Sequence, residues 1–409
     1  MEEIPRVFLL DPEVLLATRS AICKGDEALQ AADERLLQEA DQALYAAPVS
    51  VVDKEALPPS GDPRDYMSEA PYWWPEAEGE QSGTYVWRDG EFNPQAEVFD
   101  RGRLGSMCSA LSSLAPAYFF SDLEHFAEHA GLLLRTWFLE EATAMNPHLE
   151  YGQAIPGRCT GQGAGIIDTH CFSWLVEMVG LLGASSAWNE DDQSGLQAWF
   201  GAYLDWLLTS HHGREEAAQN NHHGTWYDVQ VASLALFAGR DEVANEICTH
   251  SFPRRLEAQI EPDGRQPLEL VRTRSLDYCL MNLTALFDLA DLGGRVDIDF
   301  ETDAIGTDGN GKEVFLRDLW PPQEEIRDEI GRSVQAKMFE EEYGNVFSSN
   351  ETWNQIATAG AFVLGTGVAI GVCQFISSFF NKKLKPAGKN PWDARTLEWT
   401  LSSPPPFHQ

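Results

Sequence analysis

The sequence predicts an all-α fold, a toroid or solenoid of consecutive helices, followed by an appended C-terminal segment. From about Gly102 to Leu292, apolar residues recur at the three- and four-residue spacing of helices. Strand-like alternation is almost absent from this range. The connections are polar and rich in Gly, Asn and Pro, which favours helical repeats whose loops converge on one face.

The N-terminal part is predicted to be a helical stretch followed by a loop-rich segment. Residues 11–46 carry Leu, Ala and Ile at helical spacing, and residues 48–94 are rich in loop-forming residues. Tyr72, Trp73 and Trp74 lie between two prolines, which excludes a regular helix there. These aromatics are either a core plug or a stacking platform at the rim of a cleft. Residues 85–90 are predicted to form a short strand and turn.

The central part is predicted to contain helices at Ser106–Phe120, Leu123–Phe138, His170–Ala187, Gly195–Ser210, Val229–Ala238, Asp241–Ile260 and Cys279–Leu292. Two of the loops between them are unusually polar, at residues 145–157 and 161–170. The second has a GxGxG pattern, but it follows no convincing strand, which argues against dinucleotide binding.

The candidate site is the stretch Asn220–Gln230, NNHHGTWYDVQ, which contains two amides, two imidazoles, an indole, a phenol and a carboxylate. Cores avoid such groups unless each has a partner, so the cluster indicates a functional site. The alternative is a loop that caps a helix starting near Asp228.

The composition changes after about Gly294. Residues 295–352 are acidic, and the loop at 302–311 has its acidic residues at the wrong offsets for an EF-hand. Residues 356–380 are apolar and are followed by Lys382, Lys383 and Lys385, which predicts a membrane span and possible membrane association. The alternative is a buried hairpin. The remaining tail, with its Pro404–Pro406 run, is predicted to be extended.

Charge and cysteine content limit the function classes. The 409 residues carry a formal charge of −35 without a basic stripe, which argues against nucleic acid as a partner. Local Arg and His could still focus a positive cleft on an anionic substrate. The seven cysteines show no paired spacing, and we expect no metal site and no cofactor. The first 22 residues lack the pattern of a secretion signal, which leaves the compartment open.

Residues 5–294 resemble the alginate lyase superfamily of polysaccharide lyases. The motifs that carry the resemblance are Asp65-Tyr66 through Trp74-Pro75, Met145 through Gly157, Asn220 through Gln230, and Pro267-Leu268-Glu269-Leu270-Val271-Arg272 with Tyr278 and Asn282. The resemblance implies an incomplete (α/α) toroid that cleaves uronate polysaccharides by β-elimination. Two departures are the doubled His222-His223 and an Arg272–Tyr278 spacing one residue shorter than in classical members. The pattern also resembles glucuronan-type relatives, so either alginate or glucuronan is an expected substrate.

Position by position, the resemblance implies catalytic roles for Asn221, His222, Arg272 and Tyr278. Asn221 and Arg272 suit neutralisation of the uronate carboxylate. His222 suits a base or neutraliser, and Tyr278 an acid that could also be the base, with its pKa lowered by a nearby Arg. Weaker candidates for substrate contacts are Tyr72, Trp74, Gln153, His170, His223, Tyr227 and Arg274. Structural alternatives are a core position for Tyr278 and surface ion pairs for Arg272 and Arg274.

The C-terminal part resembles two other families. Residues from about 295 to 352, including Val314 to Pro321, resemble a piece of aconitase. This piece has no cysteine, since none lies between Cys279 and Cys373, so we expect neither an iron–sulfur cluster nor aconitase activity. Residues 353–409, which include the predicted span, resemble the C-terminus of cytochrome c oxidase subunit I without recognisable haem or copper ligands. The three parts together indicate a chimeric reading frame.

Two other functions fit the same sequence. A toroidal glycoside hydrolase needs two carboxylates across a cleft, and Asp168, Glu150 and Glu269 are available. Alternatively, the fusion cuts the toroid short and leaves a non-catalytic, membrane-tethered or misfolded product. A hydrolase differs from a lyase in its product, because only elimination leaves an unsaturated, ultraviolet-absorbing uronate.

Overall fold

The computed structural model describes residues 4–76, 84–261 and 264–296, together with the backbone of 304–307 and 313–315. The chain divides into two units, Met1–Gln323 and Glu324–Gln409, and the described residues all belong to the first. The predicted span at 356–380 and the tail after it lie outside the described residues, as does most of the aconitase-like segment. Within the described part, no helix is both long enough and apolar enough to cross a bilayer.

Helices dominate the described residues, which confirms the prediction of a mostly helical chain. They are α1 (Pro12–Cys23), α2 (Glu27–Ala43), α3 (Asp100–Ser121), α4 (Glu124–Phe138), α5 (Phe172–Leu181), α6 (Glu190–Thr209), α7 (His211–Ala217), α8 (His222–Phe237), α9 (Asp241–Glu246), α10 (Phe252–Gln259), α11 (Pro267–Leu270) and α12 (Ser275–Arg295). Short 3-10 helices form at Val51–Asp53, Pro94–Val98 and Gly163–Thr169, and a π-helical turn forms at Ile247–Ser251.

Two stretches predicted as continuous helix are interrupted. Residues 11–46 form α1 and α2, because Gly25 adopts a left-handed conformation with φ of 77° and Asp26 caps the second helix. Residues 241–260 form α9 and α10, separated by the π-helical turn. Pro253 follows that turn, in the first turn of α10, where its missing N–H costs little.

The strands form three short two-stranded sheets. They are β1 (Met67–Glu69), β2 (Trp73–Pro75), β3 (Tyr85–Trp87), β4 (Tyr151–Ala154), β5 (Ala304–Thr307) and β6 (Glu313–Phe315). β1 pairs with β4 in parallel, and the pairs β2–β3 and β5–β6 are antiparallel. The 145–157 segment predicted as a loop therefore contains a strand. β2 and β3 form a hairpin in which Trp73 lies opposite Trp87.

The glycines of the GxGxG pattern allow a close approach of two backbones. A Cβ on Gly165 would lie 2.5 Å from the carbonyl group of Gly152, and one on Gly161 would lie 1.9 Å from the carbonyl oxygen of Glu150. Both positions therefore need glycine so that the Gly163–Thr169 helix can pack on β4. This packing explains the motif without a nucleotide.

Helix α8 is the central helix of the first unit. All of its residues except His223 are buried, and it packs against α12, α9, α5 and α6. A helix that is buried on every side needs apolar or fully paired side chains around its whole circumference. The Val229–Phe237 segment is apolar except for Gln230, which accepts a hydrogen bond from Thr169, and Ser233, whose Oγ has no hydrogen-bond partner among the described residues. The first two turns carry paired polar groups.

The N-terminal segment ties distant helices together. The buried carboxylate of Glu177 on α5 accepts backbone N–H groups from Phe8, Leu9 and Leu10 at 2.9–3.0 Å. The Arg295 guanidinium, in the last turn of α12, donates to the carbonyl oxygens of Phe8 and Leu10, each at 2.7 Å. One segment thus connects α5 with the end of α12.

A buried carboxyl beside this junction makes stability depend on pH. Burial, with the charges of Asp291 and Glu177, raises the pKa of Asp288 to about 7. Burial likewise raises the pKa of Glu177 to about 7. In the unfolded chain both carboxyls lose their protons near pH 4. Their contribution to stability is therefore fully present below about pH 4 and is lost as the pH rises through about 7.

We expect Asp288→Asn to raise the free energy of unfolding at pH 8 by about 2 kcal/mol, because it removes a buried charge whose Oδ2 has no hydrogen-bond partner among the described residues. The gain should shrink between pH 7 and pH 4. Urea unfolding at pH 4.5 and 8 measures it, with the exposed Asp205→Asn as control. A gain that does not change with pH would contradict the assignment.

Candidate active site

The candidate stretch forms the N-terminus of the buried helix α8 and is not a loop. The helix begins at His222, more than one turn before the predicted start near Asp228, because Asn221 is its N-cap and accepts a hydrogen bond from the backbone of His223 at 3.1 Å. Gly224 is required in the first turn, since a Cβ there would lie 2.1 Å from the carbonyl oxygen of Gln219. The polar residues are therefore held by helix geometry.

Glu269 fixes the imidazole of His222. Its carboxylate accepts the backbone N–H of His222 at 2.7 Å and lies 2.9 Å from the ring nitrogen Nδ1. A carboxylate can only accept, so Nδ1 bears the proton and Nε2 carries the lone pair. Burial lowers the pKa of His222 while Glu269 opposes this. The imidazole is therefore neutral at neutral pH.

Tyr278, in the first turn of α12, lies beside this imidazole. The ring centroids of His222 and Tyr278 are 4.9 Å apart, and the guanidinium carbon of Arg272 lies 3.8 Å from the centroid of the phenol ring. The hydroxyl of Tyr278 is hydrogen-bonded to that of Tyr72 at 2.7 Å. Groups from three separate regions of the chain thus meet at one place.

The expected lowering of the Tyr278 pKa is wrong for the free protein. Burial and the hydrogen bond with Tyr72 raise the pKa of Tyr278 well above its ordinary value, and the Arg272 charge only opposes the rise. Burial outweighs the cation because the ring is largely removed from water. The phenol consequently holds its proton at neutral pH.

Arg272 also holds the β2–β3 hairpin. Its Nε and Nη2 donate to Oδ1 of Asp89, just after β3, at 3.0 and 2.6 Å. The backbone and hydroxyl of Thr273 donate to Oδ2 of the same carboxylate. The ion pair considered as an alternative for Arg272 therefore exists, and it anchors the hairpin next to Tyr278.

Arginine side chains cover aromatic rings of the hairpin. The guanidinium carbon lies 5.0 Å from the ring centroid for Arg88 over Trp74 and 4.4 Å for Arg158 over Trp73. The Trp74 indole donates to the carbonyl oxygen of Glu91, so this side chain is half-buried in the hairpin. Cations clustered on aromatic faces give local positive charge within an acidic protein.

A second polar group surrounds the buried carboxylate of Asp168. Its oxygens accept hydrogen bonds from Ser68 at 2.6 Å, Tyr66 at 3.1 Å and the Gln153 amide at 3.0 Å. Gln153 has a φ of 49°, a left-handed conformation uncommon for residues other than glycine. A strained residue held by several partners is typical of a functional site.

Arg101, which no sequence pattern singled out, lies between the two groups. The Nε atom of Arg101 is 3.7 Å from Oδ1 of Asp168. The Asp168 carboxylate and the phenols of Tyr72 and Tyr278 all favour the charged form of the guanidinium. Its Nη1 is buried without a hydrogen-bond partner among the described residues. This buried N–H group is therefore left without a compensating hydrogen bond in the described part of the chain.

The predicted substrate contacts His170, His223 and Arg274 differ in their burial and in their partners. His170 packs on Trp226, and Nδ1 of His170 lies 2.8 Å from the carbonyl oxygen of Ile167. His223 is half-buried and lies 2.6 Å from the buried Glu216 carboxylate. Arg274 is exposed and paired with Asp277 at 2.7 Å.

Tyr227, another predicted substrate contact, is buried and hydrogen-bonded within the helix packing. The side chain is 5% exposed and its hydroxyl donates to the carbonyl oxygen of Leu207 at 2.9 Å. It follows His222 by more than one turn of α8, which directs it into the helix packing.

A buried network of hydrogen bonds holds the chain around the N-cap of α8. The Gln259 amide donates to the carbonyl oxygen of Asn221 at 3.3 Å and accepts from Asn282 at 2.8 Å. Arg255 donates to Asp228 at 2.7 Å and to the carbonyl oxygens of Ala217 and Gln219. The residues that precede the N-cap of α8 are thereby fixed.

A helical fold in which an imidazole, a phenol and guanidinium groups converge beside an aromatic hairpin is typical of a polysaccharide lyase of the α/α toroid type. Residues 50–311 match the family model described as alginate lyase. This is more than half of the chain, so the protein belongs to the alginate lyase family.

The structure is similar to that of an alginate lyase from Bacteroides ovatus. The two chains superpose with a TM-score of 0.72 and are 36% identical, and the match covers 79% of this chain and 86% of that one. A separate match of 65 residues is 45% identical to aconitate hydratase A of Thermus thermophilus and of Staphylococcus epidermidis. That match covers 16% of this chain and only 7% of the length of those aconitases.

Proposed function

We propose that this protein cleaves a uronate polysaccharide by β-elimination, with Tyr278, His222, Arg272 and Asn221 at the reacting sugar. The observation that carries the proposal is the contact of Tyr278 with both His222 and Arg272, which come from different elements. All four residues lie within 1–294, and we assign the activity to this part of the chain. The aconitase-like segment contributes no step.

The protonation states of His222 and Tyr278 support different roles for the two residues. Elimination requires that a base take the proton from C5, that the C4–O4 bond break and that an acid protonate O4. The neutral imidazole of His222 suits the base, and the protonated phenol of Tyr278 suits the acid. The adjacent rings allow the proton to return from His222 to Tyr278 after each turnover.

The cations support recognition of the carboxylate. A developing negative charge at C5 is stabilised when donors already surround the carboxylate oxygens. Arg272 uses Nε and Nη2 for Asp89, and we assign its Nη1 to the uronate carboxylate. Arg101 has a buried Nη1 without a partner among the described residues, and we assign it to the same carboxylate or to its neighbour along the polymer.

The carboxylates required for hydrolysis are committed to other contacts. Asp168 is held by three donors, and Glu269 is held by His222. Glu150 is half-exposed and accepts from the Trp206 indole at 2.8 Å. These contacts favour elimination over the glycoside hydrolase alternative.

The test is an assay of the full chain on alginate, glucuronan and polygalacturonate. We expect ultraviolet-absorbing unsaturated ends to appear on alginate or glucuronan in step with new reducing ends. Reducing ends without that absorbance would show hydrolysis and reject the proposal. No product from any of the three polymers by a folded protein would also reject it.

We expect Glu269→Gln to lower kcat/KM by about 10²-fold, because an amide no longer fixes which nitrogen of His222 bears the proton. Glu269 also raises the His222 pKa, so the acid limb of the pH–rate profile should move to lower pH. Glu216→Gln is the matched control, since it changes the same kind of contact at His223. An equal shift in both variants would contradict the role of His222.

A further inference from the structure

Two cysteines that are distant in sequence meet between α3 and the N-terminus of α5. Cys108 lies on α3, and Cys171 is the N-cap residue of α5. Their sulfur atoms are 3.2 Å apart, and both residues are half-buried. A disulfide bond has a length of about 2.05 Å, so the two sulfurs lie only about 1 Å beyond bonding distance.

The two cysteines lie on the same elements as, or next to, residues of the candidate active site. Cys108 is two helical turns after Arg101 on α3, and Cys171 directly follows His170. The sulfur of Cys171 lies 4.0 Å from the carbonyl oxygen of Asp168. A bond between the two sulfurs would therefore join α3, which carries Arg101, to the chain three residues after Asp168.

We propose that Cys108 and Cys171 are a site of oxidative modification at which a low-molecular-weight disulfide cross-links α3 to the start of α5. One cysteine thiolate attacks the reagent disulfide, forms a mixed disulfide and releases one thiol. The second cysteine thiolate then attacks the protein sulfur of the mixed disulfide and releases the second thiol. The two cysteines are oxidised, the reagent is reduced to two thiols, and two protons leave the cysteines.

The environment of Cys108 sets the conditions for this reaction. The hydrogen bond with Cys171 and burial both raise the pKa of the Cys108 thiol. The thiolate is the attacking species, so exchange should become faster as the pH rises above neutrality. Both residues are partly exposed.

The experiment treats the full chain with oxidised glutathione, alkylates the remaining thiols and maps the peptides without reduction. We expect the peptide containing Cys108 to be linked to the peptide containing Cys171, and the melting temperature to rise by roughly 5 °C. Recovery of both cysteines as alkylated thiols, or of each as a separate glutathione adduct, would overturn the proposal.

Two variants control the mapping. In Cys108→Ser, oxidation should stop at a glutathione adduct on Cys171 without a rise in melting temperature. In Cys159→Ser, which changes another half-buried cysteine, the linked peptide and the rise should both persist. Loss of the link in Cys159→Ser would show that a different pair reacts and would overturn the assignment.

Discussion

Replacement of Tyr278 by phenylalanine is expected to lower kcat/KM on a polyuronate by about 10³-fold or more while the protein remains folded. The change deletes the hydroxyl that we assign to the protonation of O4, and general acid catalysis contributes about 10²–10⁴-fold. The ring contacts with His222 and Arg272 survive, because they involve the ring and not the hydroxyl. Initial rates of ultraviolet-absorbing product and a thermal melt measure the two effects.

Tyr72→Phe is the matched control for this prediction. It removes the same 2.7 Å hydrogen bond from the other side and leaves the Tyr278 hydroxyl in place. We expect a loss of about tenfold or less, since the acid itself is retained. Comparable losses in both variants would mean that the Tyr72–Tyr278 contact, rather than the Tyr278 proton, is what the reaction requires.

The helical part of the fold could be predicted because it depends on local periodicity. Segments such as 123–138 bury one face and repeat apolar residues at helical spacing, and α4 begins and ends within a residue of its predicted bounds. The start of α8 could not be predicted in the same way. Its first turns carry polar residues whose burial depends on partners elsewhere, including Glu269 and Arg255.

The candidate site was predictable only in part, for the same reason. Resemblance of motifs pointed to Asn221, His222, Arg272 and Tyr278, and the structure places His222 and Arg272 against Tyr278, with Asn221 as the N-cap before His222. Their supporting partners carry no local signal. Glu269 lies in the PLELVR run and Asp89 in a predicted turn, but sequence alone does not reveal which side chain each carboxylate binds.

Arg101 shows the limit most clearly. It follows Asp100 at the beginning of α3, where a charged residue usually faces water. Only the tertiary structure places it next to Asp168, with one nitrogen buried and unpaired among the described residues. A net charge of −35 also does not reveal where the cations lie, such as Arg88 and Arg158 over aromatic rings of the hairpin.

Replacement of Arg255 by methionine is expected to destabilise the protein by about 3–5 kcal/mol. Arg255 and Asp228 are each nearly sealed from solvent, with side chains 2% exposed. Removal of the cation leaves a buried carboxylate without compensation, which costs far more than the intact pair contributes. The carbonyl oxygens of Ala217 and Gln219 lose their donor as well. Urea unfolding measures the loss, with the adjacent exposed Arg254→Met as control.

The double variant Asp228→Asn with Arg255→Met separates the charge effect from packing. Burial raises the pKa of Asp228 and Arg255 opposes the rise, so without Arg255 the carboxyl should take up a proton more readily. If the uncompensated charge dominates, the double variant should regain about 1–2 kcal/mol over Arg255→Met alone. If it regains nothing, the loss comes from the orphaned carbonyl oxygens, and the segment before Asn221 is held by hydrogen bonds rather than by the ion pair. Either route links stability to activity, because this segment positions the N-terminus of α8 on which His222 lies.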